Sequence, residues 1–391
     1  MPLDLLRNEA EICRQARDKF AHDGLPSAKA EAWIYTRLSE LSINPADKSD
    51  DEVASEENVL SFLDGWLNIA QVTLPAGVSL SEMNDDAHLA QFTTLLPDDH
   101  LLGHLSVGHA TGAYVIEVEA GAQVELPLQL VFSGGDAENS THPLIFIKVG
   151  EGASVKLAEI HNSSSHLSAP VIAIDIAETA KLDHVKLQAD DIETTHLALT
   201  VMNVAGRADV NSFTTAMGAK LGRHETHANL NGEDIEIALS SLYLGRGTQH
   251  QDMTTRMHHF VPNCTSDQVI RGVLDDTAKG VFQGKVLVAR DAQKTDGQQM
   301  SRALLLSRKA EADAKPELEI YADDVVCSHG ATVGELDETH LFYLKSRGIH
   351  EDLARAMLIE AFVADALEKI RETTLADILT DSVNLWMSGD A

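Results

Sequence analysis

Cys327 and His329 lie two positions apart in "DDVVCSHGATVGELDE", the stretch from Asp323 to Glu338. In an extended strand, residues i and i+2 face the same side. A thiolate and an imidazole on one face suit a metal site or a catalytic pair. They also suit a strand end that carries a buried thiol and a hydrogen-bonded histidine. Asp323 and Asp324 could orient the imidazole from behind, although paired acidic residues read more simply as solvated turn positions. Glu335 has no strand register that ties it to the pair. A second cluster, "MHHFVPNC", spans Met257 to Cys264. In a strand His258 and His259 face opposite sides and cannot easily share an ion, so a structural role is expected for them and for Cys264. "GRHETH" (Gly222 to His227) sets His224 and His227 at i and i+3, on opposite faces of a strand, which is a weak metal signal. The remaining histidines are scattered. No G-x-x-x-x-G-K-[ST], G-x-S-x-G or H-E-x-x-H occurs, so the common phosphate-loop, nucleophile-elbow and zinc-protease chemistries have no motif here.

The elements around Cys327 and His329 are predicted to be strands. From about Ala113 apolar and polar residues alternate, as in "AYVIEVEAGAQVELPLQLVFSG", "PLIFIKVGEGASVKLAEI" and "PVIAIDIAETAKLDHVKL". Small-residue turns separate them, beginning at Gly121, Gly152, Thr179 and Gly206. Their spacing is a repeat of roughly 25–30 residues, the range of solenoid coils. No helical segment intervenes, which argues against a βαβ sheet. Asn231-Gly232 is the lone strong hairpin signal, too little for a sandwich of hairpins. A parallel β-helix fits best, with ~8 coils stacked over ~40 Å at the inter-strand spacing.

The predicted organisation is mainly β with helical ends. Residues 1–95 form a helical or mixed region, 96–334 the β-helix core and 335–391 a helical C-terminal region. At the N-terminus Leu3, Leu6, Ala10, Cys13 and Ala16 recur at helical spacing. Gly24-Leu25-Pro26 breaks that helix, and a second is expected through "AEAWIYTRLSEL". Pro45 to Asn58 is an acidic loop or helix start. At the C-terminus one helix is expected to end at Gly348. Leu353, Met357, Leu358, Ala361, Phe362, Ala366, Leu367 and Ile370 make a wide apolar stripe on the next. Leu375, Ile378, Leu379, Val383 and Trp386 belong to the last helix. Such stripes pack on the β-core or dock a partner.

Thirty basic against 61 acidic residues leave a net charge of −31, which disfavours nucleic acid and anionic lipid as partners. Three cysteines with no CxxC spacing argue for a reducing compartment rather than a disulfide framework. No apolar run approaches ~20 residues, and the first residues lack a signal-peptide pattern. The sequence therefore reads as cytoplasmic, with no membrane association.

Several long segments carry a family resemblance: "GVFQGKV" (Gly280–Val286), "AQKTDGQQ" (Ala292–Gln299), "KPELEIYADDVVCSHGAT" (Lys315–Thr332) and "FYLKSRGI" (Phe342–Ile349). With "GLPSAKAEAWIYTRL" near residue 30, they resemble the SufB/SufD family of iron–sulfur cluster assembly scaffolds. Cys327-Ser328-His329-Gly330 matches the pattern of the SufD branch. The resemblance implies a right-handed β-helix core and a non-enzymatic subunit. It implies a complex with SufB, through the β-helix core, and with the SufC ATPase, through the C-terminal helices. A homodimer is the alternative assembly in isolation. His329, with Cys327 as a second ligand, would hold a nascent iron–sulfur cluster transiently at the SufB–SufD interface. No tightly bound cofactor is expected in the isolated chain.

Two other readings compete. A SufB-like paralogue acting as the main scaffold is disfavoured by the Cys-Ser-His pattern and by the absence of a Cys-rich N-terminal section. Some parallel β-helices act on acidic polysaccharides, but this acidic chain would repel a polyuronate.

Overall fold

The alternation of apolar and polar residues is realised as two parallel sheets wound into one solenoid. The computed structural model describes residues 10–27, 29–48, 56–67, 72–83, 86–98 and 100–388. Each coil contributes one strand to each sheet. The first coil holds Gly112–Val118 and Gln123–Ser133, the second Pro143–Val149 and Ser154–His161, and the third Val171–Ile176 and Lys181–Gln188. Thr195–Val204 and Asp209–Ala216 form the fourth, Leu221–Leu230 and Glu236–Gly245 the fifth, and His250–His259 and Thr265–Leu274 the sixth. Lys279–Val288 and Asp296–Leu305 form the seventh, and Glu311–Ile320 and Val326–Gly334 the eighth. Successive coils pair in parallel, offset by 26 residues (Thr195 to Leu221) up to 32 (Lys279 to Glu311). The expected β-helix of about eight turns is what forms.

The turns explain how the backbone stays in register. Gly121, Gly152, Thr179, Arg207, Asp234, Asn263 and Lys294 occupy equivalent turn positions with positive φ. That conformation aims the amide at the next coil. Gly152 N donates to Glu178 O at 3.0 Å, Thr179 N to Gly206 O at 2.9 Å, and Arg207 N to Glu233 O at 2.8 Å. Asn231-Gly232 belongs to one of these inter-sheet turns, not to a hairpin. Gly232 is required there because a Cβ would lie 2.0 Å from Gly206 N.

Side chains facing between the sheets are aliphatic along one side, including Leu157, Ile174, Leu182, Val204, Leu230 and Val286. The outer face of the first sheet is covered by Glu11–Asp23, Asp86–Leu95 and Leu101–Gly108, through Phe92, Leu102 and Leu105 against Phe146, Leu199 and Val201. The helix expected through "AEAWIYTRLSEL" does not form. Only Glu31–Trp33 makes a single 3-10 turn. Tertiary contacts override its propensity: Ala32 O accepts from Arg223 Nη2 at 2.9 Å, and Thr36 donates to Asp252.

Three C-terminal helices follow the last coil: Glu338–Ser346, Glu351–Leu367 and Thr373–Ser388. Asp337 caps the first through Thr339 N at 2.7 Å, and Gly348, at φ +86°, lies just beyond its end. Leu375, Leu379, Val383 and Trp386 pack with Val363 and Ala366 on Val185, Phe213 and Leu242 of the second sheet. The apolar stripe is thus divided. Its Ala366 and Ile370 are buried, whereas Leu353 and Met357 are exposed, as are Phe342 and Tyr343 of the preceding helix.

Candidate functional site

The two ends of the solenoid are finished differently. Val59–Leu63 pairs in parallel with Gln123–Ser133, and Val78–Glu82 pairs antiparallel with Gly112–Val118, extending both sheets past the first coil. At the far end Glu311–Ile320 and Val326–Gly334 are terminal strands, each with one neighbour in its sheet among the described residues. The two edges differ in kind. Glu311–Ile320 carries Glu311, Asp313, Lys315, Glu317, Glu319 and a proline, Pro316. Charges and proline on an edge discourage further strand pairing. Val326–Gly334 carries no Asp, Glu, Lys or Arg, and exposes Val326 and Val333.

Cys327 and His329 lie on that unguarded edge. Register pairs Cys327 with Gly297 and His329 with Gln299. Gly297 and Gln299 face the solenoid interior, so Cys327 and His329 share the inward face, as the i, i+2 spacing requires. Cys327 is half-buried against the aliphatic core, and His329 is exposed because no further coil covers it. Burial raises the Cys327 thiol above its usual pKa. The thiol is therefore protonated at neutral pH. Ser328 faces the other way and donates to Gln298. Asp324 ion-pairs with Lys294 across the turn, and its backbone N–H donates to Gln293 Oε1 at 3.0 Å. It is a turn residue and does not orient His329.

Behind His329 the register stacks Gln299 and then Gln268 on preceding coils. Both amides are buried. Gln268 Oε1 accepts from Thr255 at 2.7 Å, while Gln268 Nε2 and both polar atoms of Gln299 have no hydrogen-bond partner among the described residues. Buried amides in that state favour an added polar group at this end of the molecule.

The histidines that seemed scattered are gathered by the coil register. Glu159 sits between His184 Nε2 at 3.0 Å, His161 Nε2 at 3.3 Å and Lys186 Nζ at 3.5 Å. Ring centroids of His161 and His196 are 5.0 Å apart, and those of His196 and His224 are 4.8 Å apart. Burial opposes charge on Glu159, but Lys186 and then His184 outweigh it and hold the carboxyl well below its ordinary pKa. Burial pushes His161 down to about 4 and His224 well below its ordinary value. Burial thus lowers His161, His196 and His224 together in one interior column beside the ionised Glu159 carboxylate. A sequence signal existed: His161 and Gln188 are register partners one coil apart, as are Glu159 and Lys186. Finding it required the coil length at each turn.

His258 and His259 point to opposite sides, as expected. His259 Nε2 lies 2.9 Å from Ser266 Oγ inside the solenoid, and His258 Nδ1 lies 3.1 Å from Asn229 Oδ1 outside it. Cys264 is fully buried in the turn stack, where its thiol donates to Gly232 O at 3.3 Å. His224 and His227 are likewise separated, inward and outward. Among the described residues no helix is long and apolar enough to cross a membrane.

Residues 131–362 match the family described as SUF system FeS cluster assembly, SufBD core domain. The match includes the unguarded edge strand. The chain is 32% identical to iron–sulfur cluster assembly protein SufD of Escherichia coli (strain K12), over 97% of this chain and 93% of that protein. It is 30% identical to an iron–sulfur cluster assembly SufBD family protein of Synechocystis sp., over 92% of this chain and 87% of the relative. Identity to SufD of Bacillus subtilis (strain 168) is 28%, covering 88% of this chain and 85% of the relative.

Proposed function

Because this chain belongs to the SufB/SufD family of iron–sulfur cluster assembly proteins, we propose that it is a SufD-type scaffold subunit whose open solenoid end meets a SufB chain, with Cys327 and His329 contributing to a shared cluster site. A role in iron–sulfur cluster assembly follows from family membership. The observation that carries the finer reading is the unguarded edge strand Val326–Gly334, which presents Cys327 and His329 from its inward face. A strand from a partner solenoid can add to this edge through main-chain hydrogen bonds. That addition would enclose the two side chains between subunits.

The chemistry of the pair supports a shared site. Iron–sulfur clusters are bound by thiolates, with histidine as a substitute. A thiol and an imidazole from one chain supply half of a four-ligand set, so sulfide or partner side chains complete it. The cluster is cargo, assembled and passed on. An exposed imidazole beside a half-buried thiol suits transient binding better than a closed structural site. The exposed Phe342, Tyr343, Leu353 and Met357 on the C-terminal helices give a separate apolar surface. We assign it to a SufC-type ATPase, which supplies the nucleotide chemistry for which this chain has no phosphate-loop motif.

The test is co-purification with SufB and SufC, anaerobic reconstitution with ferrous iron and sulfide, and iron counting. His329→Ala and Cys327→Ser should leave the complex intact and lower cluster yield at least tenfold. Full cluster yield from both variants overturns the ligand assignment. Failure of the wild-type chain to bind SufB, or its isolation only as a homodimer in the presence of SufB, overturns the subunit reading.

A further inference from the structure

His100, Glu225 and His227 come together on the outer face of the first sheet, far in sequence from Cys327 and His329. Glu225 and His227 project from the same side of strand Leu221–Leu230. His100 reaches them from the position just before helix Leu101–Gly108. Glu225 Oε2 lies 3.0 Å from His100 Nε2 and 3.4 Å from His227 Nε2. The three ligand atoms all lie within 4.8 Å of one another. Around a tetrahedral ion at zinc–nitrogen and zinc–oxygen bond lengths, ligand atoms are spaced about 3.3 Å apart. Two sides of the triangle already match that spacing.

The surroundings favour an ion over a purely structural contact. Glu225 Oε1 accepts from Arg223 Nε at 2.8 Å, so one oxygen is anchored while the other is presented to both imidazoles. Arg223 is also paired with Asp252. His227 opens onto a cleft of about 380 Å³, also lined by Asp98, Asn229, Arg256 and His258. Of the three residues, His227 is the one that lines this cleft.

We infer that His100, Glu225 and His227 form a mononuclear site for a divalent first-row metal ion of the zinc or ferrous class, with one coordination position open to the cleft. Two histidines and one carboxylate with an open position is a donor set that such ions accept. The site joins the N-terminal helices to the solenoid wall, so occupancy would also tie these layers together.

The experiment uses the full chain carrying Cys327→Ser and His329→Ala, so that metal at the open end cannot contribute. Titration with zinc alone should show one equivalent bound, with a raised melting temperature. Cobalt substitution should give a tetrahedral visible spectrum. X-ray absorption should show imidazole nitrogen and carboxylate oxygen with no sulfur. His100→Ala and His227→Ala should each weaken binding at least tenfold. Absence of zinc binding in the double-variant background, sulfur in the first coordination sphere, or undiminished affinity in both histidine variants would overturn the site. The absorption measurement decides the matter even if a histidine variant fails to fold.

Discussion

The guanidinium of Arg223 lies over the indole of Trp33, its central carbon 4.0 Å from the ring centroid. This contact ties the N-terminal segment to the solenoid wall. Arg223 is fully buried and also bonds Glu225, Asp252 and the Ala32 carbonyl. One side chain thus satisfies two buried carboxylates and shares the Ala32 oxygen with Gln283 Nε2, which donates to it at 3.3 Å. Arg223→Ala leaves both carboxylates without their cation, which costs about 3–5 kcal/mol. Urea unfolding followed by far-UV dichroism measures it. A loss below about 1 kcal/mol would mean the network contributes little to stability.

Acid should destabilise the solenoid from the inside. Burial pushes His161 and His259 down to about 4 in the folded chain, while both titrate near ~6.5 when unfolded. Between those values the unfolded chain binds protons that the folded chain refuses, so stability falls as the pH drops from about 6.5 toward 4. Each such proton contributes a slope approaching about 1.4 kcal/mol per pH unit. Glu159, held well below its ordinary value, acts in the same direction at lower pH, because its stabilising charge is lost as pH falls through its folded pKa. Melting temperatures between pH 7 and pH 4 check the sign. A flat or rising profile contradicts it.

The turn stack gives a paired prediction of opposite sign. Thr179 is a β-branched residue at φ +59°, where its neighbours along the stack include Gly121 and Gly152. Thr179→Gly relieves a conformation that costs L-residues roughly 1–2 kcal/mol, partly offset by the greater freedom of glycine in the unfolded chain. The net gain should be a few tenths to about 1 kcal/mol. Gly232→Ala should destabilise by more than about 1 kcal/mol, since its Cβ would meet Gly206 backbone at 2.0 Å. Denaturant midpoints of the two variants should move apart.

The exposed helix surface separates docking from folding. Phe342→Ser, Leu353→Ser and Met357→Ser alter side chains that are 72%, 58% and 40% exposed. Each should change stability by less than about 0.5 kcal/mol, yet the triple variant should lose SufC in pull-down while retaining SufB. Retention of SufC would place the ATPase contact elsewhere.

The fold was legible in the chain because a solenoid is local: each coil repeats an alternation and a small-residue turn. The strands near Val155, Leu182 and Val210, and the helical end after Asp337, can be read from periodicity alone. The inward pairing of Cys327 with His329 is equally local, because alternation along one strand decides it. The 3-10 turn at Glu31–Trp33 could not be read this way. Its backbone carbonyl is claimed by Arg223, a residue 191 positions away.

The candidate sites divide along the same line. The sequence carried the Cys327–His329 spacing and the motifs that resemble the family. Tertiary structure alone revealed that the strand bearing them is an uncharged edge, because an edge is defined by the strand that does not follow it. It also separated His224 from His227, and brought His227 to His100 across 127 positions, since coil offsets from 26 to 32 residues set which side chains stack. Faces follow from the period-2 pattern within a strand. Neighbours depend on the length of every intervening turn, and those lengths vary from coil to coil.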